Sequence, residues 1–360
     1  MNAPTRSPIA RARGFSLIEI MVSLVVSLLL LGGMIQLYIA NHRTSGIGNG
    51  VADVQEAGRF ALEELAESLR MATFQGCADA TRQKATVTAL NSPTTDLSLT
   101  GVVGLEVAAN STWSGGSAPT NWSGTIPLAL NDVIQIQGGS RSVAALSSAM
   151  SSASDSVVLA SNPDAIAAGE MVLIADCAAA DLFRVTAVSS NTLTHTTSDN
   201  SSASLSKAYS ATGVNAGQAT RFNSWVYFVR DSGRVSADGS AIFSLFRLDT
   251  SRTGQTAQEL VERVDRMQVL YGQRVPNSAN INYFTAPSVT DWTQIVAVKV
   301  ALLVSSHDPV LDASDTASYV LLDQTVAPAG TTGATLTYPN DRHLRRVFSA
   351  AVNIRNRRSL

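Results

Sequence analysis

The sequence predicts an α+β protein in which a long N-terminal helix packs on antiparallel β-sheet. An apolar run long enough for a helix lies near the N-terminus, and an amphipathic stretch follows it. From about residue 85 onward, polar and apolar residues alternate in short runs separated by glycine-containing turns. A helix first and strands afterwards is the element order of an α+β arrangement.

Composition limits the partners of the chain. Its 360 residues suffice for a sizeable core, and 45% of them are hydrophobic. Charged residues make up only 15%, against about 25% in average soluble domains, and the net charge is -2. This balance gives no reason to expect nucleic acid as a partner. Residues 86–220 are rich in Ser, Thr, Ala, Gly and Asn, which suits an exported protein and predicts a β-rich insertion or subdomain.

The first helix is predicted from residues 15–40, which contain no Lys, Arg, Asp or Pro. As a helix this run is about 39 Å long, and the hydrocarbon core of a bilayer is about 30 Å thick. Three arginines precede the run and one follows it closely: Arg6, Arg11, Arg13 and Arg43. The positive-inside rule therefore places the N-terminus in the cytoplasm and the chain beyond the run outside it. No second apolar run of comparable length occurs in the sequence, so we expect a single-pass topology.

Two ordinary explanations of this segment are a secretory signal peptide and a plain membrane anchor. A signal peptide has a shorter apolar run, of about 7–15 residues, followed by a small-x-small cleavage site. Here the run is longer and is followed by NHRT at 41–44. A plain anchor leaves Glu19 unexplained, because an acid in a membrane helix costs about 2.5–3.5 kcal/mol near the bilayer centre. We therefore expect Glu19 to have a partner.

The hexapeptide GFSLIE, which begins at Gly14, resembles the processing site of type IV prepilins and type II secretion pseudopilins. The resemblance implies that residues 1–14 are a leader, which prepilin peptidase removes by cutting between Gly14 and Phe15. The same enzyme would N-methylate Phe15, and residues 15–40 would stay on the mature protein as a transmembrane helix. Glu19 would pair with the terminal amine of a neighbouring subunit. An amine and a carboxylate that are each costly in lipid neutralise one another in such a pair.

Helical character continues over residues 41–76, as an amphipathic continuation of the first helix. Apolar positions recur there at spacings of three and four: Val54, Gly58, Ala61, Leu62, Leu65, Leu69 and Ala72. This stripe predicts packing against a sheet. The charged residues predict a solvated face, with Arg59 beside Glu63 and Glu67 beside Arg70.

Three glycines interrupt this helical pattern just past the membrane segment: Gly46, Gly48 and Gly50. The GIGNG segment follows a helix rather than a strand, which argues against a phosphate-binding loop. We expect it to be a flexible joint.

The remaining residues, 77–360, are predicted to form a β-rich domain. A hairpin is indicated by strands on either side of a polar stretch that contains Gly233 and the pair Asp238-Gly239. The predicted strands lie within residues 132–139, 169–177, 181–186, 225–229, 243–248, 259–272, 294–306 and 345–357.

A further set of segments carries a second likeness: residues 55–62, 71–72, 74–77, 176–177, 181–186, 259–272, 345–348 and 354–357. These segments resemble the minor pilins of the PilW type and extend the likeness over most of the chain, with poor matches at 86–165 and 195–220. The resemblance implies a minor pilin that helps to start or cap a type IV pilus in a Gram-negative bacterium. Its domain would be periplasmic, its helix would cross the inner membrane, and the assembled pilus would stand at the cell surface. Its partners would be prepilin peptidase, other minor and major pilins and a tip adhesin.

Two departures from major pilins argue against a bulk shaft subunit. Gln36, after Gly32 and Gly33, stands where major pilins usually carry a kink-forming proline. The domain is also more than twice the size of a major pilin's, and would crowd a tightly wound lattice. Two alternatives stay open: a large minor pseudopilin of type II secretion, and an adhesin or surface-sensing module whose Ser/Thr-rich residues 86–220 bind a ligand.

The two cysteines, Cys77 and Cys177, match no metal-ligand spacing. In a cytosolic protein they would be unrelated core thiols, whereas in the periplasm we expect a disulfide. Closing a loop of that length contributes up to about 4–5 kcal/mol in the chain-entropy model.

Residue types that carry catalysis are scattered, so we expect neither an enzyme nor a cofactor or metal site. The histidines stand in unrelated contexts: His42, His195, His307 and His343. Asp308, Asp312 and Asp315 are spaced closely enough for a cation, but a polar loop is the preferred interpretation. Basic residues cluster only near the C-terminus: Arg342, Arg345, Arg346, Arg355, Arg357 and Arg358. Their alternation with apolar residues predicts an edge or terminal strand with solvated or acid-paired arginines; contact with a partner subunit or a polyanion is the alternative.

Overall fold

The computed structural model describes residues 16–78, 80, 82–275, 278 and 280–357. Gly14 and Phe15, between which cleavage is expected, and Arg358 lie outside the described residues. The chain divides into two compact units, Met1–Asn49 and Gly50–Leu360. The arrangement is α+β, as predicted: a long apolar N-terminal helix and a mostly antiparallel, sheet-rich remainder.

Helix α1 (Leu17–Met71) is continuous over 55 residues. The predicted interruption at the three glycines is wrong, because Gly46, Gly48 and Gly50 all lie within the helix. A glycine costs a helix only about 1 kcal/mol relative to alanine, and long helical flanks on both sides offset that cost. Gly50 also has a packing role, since a Cβ there would lie 3.1 Å from Val310 Cγ2.

The described residues after α1 form a short helix α2 (Leu97–Thr100), two 3-10 turns and twenty strands. The strands are β1 (Thr86–Val87), β2 (Val102–Val107), β3 (Trp113–Ser114), β4 (Asp132–Gly139), β5 (Ala144–Ala145), β6 (Val157–Val158), β7 (Met171–Ala175), β8 (Ala180–Arg184), β9 (Ala187–Ser189), β10 (Thr192–Thr194), β11 (Gln218–Val235), β12 (Ala241–Asp249), β13 (Gln258–Glu262), β14 (Val264–Arg274), β15 (Ile281–Phe284), β16 (Ile295–Ser305), β17 (Tyr319–Leu321), β18 (Gln324–Pro328), β19 (Leu336–Tyr338) and β20 (Arg345–Asn353). The 3-10 turns are Ala286–Ser288 and Trp292–Gln294.

Strand β11 organises the largest sheet, whose order is β1-β8-β7-β11-β4-β2-β3. The start of β11 pairs with β5 and β7, its middle with β4, and its second half with β12, which in turn pairs with β13. The predicted hairpin is therefore the β11–β12 pair. Gly239 adopts a positive φ in its connection, and Gly233 adopts one at a register irregularity near the end of β11. Strands β2 and β4 come from the region 86–220, so part of that region belongs to the central sheet.

A second sheet has the order β15-β14-β16-β20 and is antiparallel throughout. The single strand predicted at 259–272 divides at Arg263, whose φ is +64°. There the chain leaves the first sheet as β13 and enters the second as β14. The guanidinium of Arg263 donates to Ser236 Oγ and His307 O, each at 3.0 Å, and so holds the turn.

The main core lies between α1 and these two sheets. The predicted stripe on α1 is buried at Val54, Gly58, Ala61, Leu65 and Leu69, as expected. It packs with inward residues of both sheets, among them Ile134, Tyr227, Met267, Val300 and Val352. A Cβ at position 58 would lie 2.4 Å from Phe348 Cδ2, so only glycine allows this close contact between helix and sheet.

Two further clusters cover the outer faces. Residues between 144 and 219 form their own cluster, in which the sheet β6-β10-β9 packs near β7 and β8. The small sheet β17-β18-β19 packs through Leu321 and Tyr338 on the face of β16 that points away from α1.

Side chains at the start of β4 join the two large sheets. Asn131 Oδ1 accepts the backbone N–H of Met267 at 2.8 Å, and Asp132 Oδ2 accepts that of Val269 at 2.6 Å. These N–H groups lie on the edge of β14 that faces β4. Burial raises the pKa of Asp132 well above its ordinary value, although the Val269 N–H opposes this.

Candidate functional site

Glu19 takes part in the first turn of α1. The backbone N–H of Ser16 donates to Glu19 Oε2 at 3.4 Å, and the backbone N–H of Glu19 donates to Ser16 Oγ at 3.2 Å. This reciprocal pair is a capping box, for which Ser-x-x-Glu is the sequence signature. The sequence contains this signature at Ser16 and Glu19, but the only partner predicted for Glu19 was the terminal amine of a neighbouring subunit. The carboxylate therefore has a local role, and it remains exposed for a second one.

The first part of α1 presents an apolar surface on all sides. One 18-residue window has a mean hydropathy of 2.4, and none of it is buried. Leu17 is 77% exposed, Leu29 72% and Tyr38 71%. A helix that is apolar all round is buried in a membrane or among other helices. By length and composition, α1 can cross a membrane.

One flank of α1, within the second unit, faces β4, β11, β12 and β13. Glu64 Oε1 accepts from Arg247 Nη1 at 2.6 Å and from the Tyr227 hydroxyl at 3.3 Å. Burial raises the pKa of Tyr227 to about 12. Glu67 pairs with Arg141 at 2.7 Å rather than with Arg70, so the sequence prediction for this pair is wrong. Both members of the Glu67–Arg141 pair are exposed, and such pairs contribute about 0–1 kcal/mol.

The opposite flank of α1 faces β20 across a groove of about 940 Å³. Its apolar lining comes from Leu62 and Ala66 on the helix and from Phe348 and Ala350 on β20. Its charged lining comes from the exposed helix residues Glu56, Arg59, Glu63 and Arg70. The predicted Arg59–Glu63 pair does not form, since neither side chain makes an ion pair with another described residue. The charged helix side chains on this flank therefore form fewer ion pairs than those on the first flank, where Glu64 and Glu67 are both paired.

The cysteines are joined in the structure. Cys77 and Cys177 form a disulfide with a Cα–Cα distance of 4.8 Å. The bond ties the segment after α1 to the turn between β7 and β8, and both cysteines are exposed. The neighbouring Asp176 is buried and lies 2.5 Å from Lys207 Nζ. Burial alone would raise the pKa of Asp176, but hydrogen bonds from Lys207 and two backbone N–H groups lower it below its ordinary value.

The C-terminal arginines divide into structural and exposed members. Arg345 is buried and donates to Asp265 at 2.7 Å and to both oxygens of Asp341 at 2.7 and 2.8 Å. Burial alone would lower the pKa of Arg345, and these carboxylates raise it instead. Arg357 is buried and donates to backbone carbonyls, including that of Ser98 at 2.6 Å. Asp341 lies only four positions before Arg345, but Asp265 lies 80 positions before Arg345 and Ser98 lies 259 positions before Arg357, so local sequence could not indicate these two partners.

Three of these arginines are exposed: Arg342, Arg346 and Arg355. None of the three makes an ion pair with another described residue. Asn356, next to Arg355, donates to the carbonyls of Arg70 and Ala72 and so fixes the C-terminal segment beside the end of α1.

The remaining polar candidates are dispersed. His343 is buried, with Nδ1 2.8 Å from Ser306 O, whereas His307 is exposed. Asp315 accepts from the Tyr319 hydroxyl at 2.8 Å and lies 3.7 Å from Arg345. In the part of the chain that is described, no three His, Cys, Asp or Glu side chains are arranged to hold a metal ion.

An exposed apolar helix that continues into a sheet-rich domain defines the class of pilin-like proteins. The model of the prokaryotic N-terminal methylation motif matches residues 9–35. The model of type IV pilus-assembly protein W matches residues 226–356, from the middle of β11 to a point just after β20. The two matches support a PilW-type pilin with a prepilin-type N-terminal motif, as the sequence predicted. No curated protein and no solved structure matches it.

The two matches also indicate which kinds of protein the chain interacts with. The prepilin-type motif implies interaction with a prepilin peptidase, and the type IV pilus assembly family implies interaction with pilus components. Among the described residues, one helix near the N-terminus is long and apolar enough to cross a membrane, and together with the prepilin motif it indicates a membrane-anchored pilus component.

Proposed function

We propose that this chain is a minor pilin that acts in the initiation or tip assembly of a type IV pilus. Prepilin peptidase cuts it between Gly14 and Phe15 and N-methylates Phe15. The observation that carries the proposal is the joint occurrence of two matches in one chain. The methylation motif covers the start of α1, and the PilW match covers the strands that pack on the end of α1.

The topology of the proposal has the N-terminus in the cytoplasm and the second unit in the periplasm. The arginine bias around residues 15–40 supports this orientation. The Cys77–Cys177 disulfide supports it independently, because such bonds persist in oxidising compartments and are rare in the cytosol.

Assembly in this proposal uses the two ends of α1 differently. The apolar part packs laterally with other pilin helices, and Glu19 pairs with the terminal amine of a neighbour. The part from Gly50 onward anchors a domain too large for a tightly wound shaft, which supports a low-copy position. Twitching motility and adhesion would then depend on the chain through the pilus.

A deletion strain complemented with the full chain tests the proposal. We expect loss of surface pili and of twitching with intact type II protein secretion, and mass spectrometry of the mature chain should find N-methylated Phe15 at its start. The opposite result, lost secretion with normal pili, assigns the chain to the type II secretion machine as a large minor pseudopilin. A mature chain that still begins at Met1 contradicts processing.

A further inference from the structure

Strand β20 is the outermost strand of the second sheet, and its outer edge is open. Nine consecutive residue pairs join it to β16 without a bulge. Among the described residues, no other strand pairs with β20, and no backbone hydrogen bond leaves β20 for a loop.

The hydrogen-bond pattern shows which residues turn their backbone outward. Leu344 O accepts from Ser306 N, and Ile354 N donates to Val296 O, one at each end of the strand. In an antiparallel ladder, bonded and non-bonded pairs alternate along the chain. The even-numbered residues of β20 are therefore bonded to β16. The odd-numbered residues direct their N–H and C=O groups away from it: Arg345, Val347, Ser349, Ala351 and Asn353.

This edge lacks the usual protection. Proteins blunt edge strands with charge, proline, bulges or shortness, because an open edge is a template for another strand. Val347–Ala351 contains no charge and no proline, and its last three residues are the small Ser349, Ala350 and Ala351. The opposite edge of the same sheet, β15, has only four residues, and β13 in the other sheet is paired across a bulge.

The groove beside α1 would receive the side chains of an added strand. Phe348 and Ala350 line it and share their face of β20 with Arg346. A strand laid against the outer edge places every second side chain on this face, next to Leu62 and Ala66. Arg59 and Arg70 line the groove together with the acids Glu56 and Glu63, and the exposed Arg346 adds a further positive charge on the same face of β20.

We propose that an extended segment of a different pilin-type subunit adds to β20 as a fifth strand. Every second side chain of the segment is small and apolar or acidic, and faces the groove. Pairing of β20 with β20 of a second copy is disfavoured, because it would bring the same arginines together. That the partner is a pilin-type subunit rests on the proposed function. That it binds by strand addition rests on the open edge of β20.

The test is photo-crosslinking of the full chain in cells that assemble the machine. A crosslinking residue replaces Ser349 at the edge or, as a control, the exposed Thr325 on β18. We expect crosslinks from position 349 to fall within one short segment of another subunit that carries a prepilin motif, with none there from position 325. Crosslinks to a second copy, or equal crosslinks from both positions, overturn the proposal.

Backbone and charge variants sharpen the test. Ala351→Pro removes an outward N–H and spares the ladder to β16, so we expect the crosslink yield to fall about tenfold. Ala351→Ser keeps this N–H and should crosslink at nearly the parental yield. Arg59→Glu with Arg70→Glu should lower the yield, whereas Arg342→Glu, an exposed arginine outside the groove, should not. Equal yields from the proline and serine variants contradict strand addition.

Folding and function are controlled separately. Oxidised cysteines and protease resistance of the Ala351→Pro chain report its fold, and the arginine variants test the contact if that chain misfolds. Normal pili without a crosslink from position 349 overturn the edge contact alone. A deletion strain with normal pili overturns the proposed function instead.

Discussion

Replacing Glu19 by glutamine separates the capping role that the structure shows for this residue from the proposed pairing with a neighbouring subunit. Glutamine can complete a capping box as glutamate does, so Glu19→Gln keeps the bonds to Ser16 and removes the charge. Glu19→Ala removes both. Ser16→Ala removes the side-chain acceptor of the cap and keeps the carboxylate.

The two roles differ in the free energy that is lost when each is removed. Loss of the cap costs about 1 kcal/mol, which is about fivefold in an equilibrium. Loss of the charge would leave the terminal amine of the neighbour unpaired in lipid, and a buried charge without its partner costs about 3–5 kcal/mol. We therefore expect Glu19→Gln to lower pilus assembly about 100-fold or more, close to Glu19→Ala, and Ser16→Ala to lower it only a few-fold.

The assay is the amount of sheared surface pili per cell, with the N-terminus of each variant determined by mass spectrometry. All three variants should be cut and methylated, so that assembly is compared between mature chains. Normal piliation by Glu19→Gln would refute the charge-pairing role. If Ser16→Ala is as defective as Glu19→Ala, the cap is the main function of Glu19.

Two further predictions concern the second unit and the helix, and both use chemical denaturation of the purified full chain in detergent. Gly58→Ala should lower the free energy of unfolding by about 1–3 kcal/mol, because the new Cβ meets the ring of Phe348. Gly46→Ala, whose Cβ meets nothing within 4 Å, should stabilise the helix by up to about 1 kcal/mol. Similar losses of stability in the Gly58→Ala and Gly46→Ala chains would refute the packing argument. The pKa of Asp176 is lowered in the folded state, so the stability that its charged form contributes is complete above the unfolded pKa of about 3.9 and is lost as pH falls through the folded pKa. Lys207→Met should lower stability at pH 7 and flatten its decline in acid, and an unchanged acid profile would contradict the role of this pair.

Local patterns in the sequence predicted most of the regular elements. The alternation in DVIQIQGG gives β4 with the expected bounds, Asp132–Gly139. The stripe on α1 is buried as its spacing of three and four requires. These predictions hold because periodicity within one element reflects which of its faces meets the core.

Features that depend on distant residues could not be predicted in this way. The sequence predicted that the C-terminal arginines are solvated or acid-paired, and Arg345 is acid-paired; its partner Asp341 is near in sequence, but its partner Asp265 lies 80 positions earlier in the chain. Glu67 had a suitable neighbour in Arg70, and the fold brought Arg141 closer. The low helix propensity of Gly46, Gly48 and Gly50 predicted an interruption of α1. The helix stays continuous there because long helical segments on both sides stabilise it cooperatively.

The disulfide also decides how a pull would travel through the protein. In a filament under tension, force would enter the domain along α1, which ends at Met71, six positions before Cys77. The covalent bond to Cys177 carries that load across to the β7–β8 hairpin, and β7 is paired with β11 in the largest sheet. Tension would then be distributed over β7, β8 and β11, instead of acting first on the segment between α1 and β1 and pulling β1 away from the sheet. The disulfide would therefore transmit tension from the end of α1 directly to the β7–β8 hairpin.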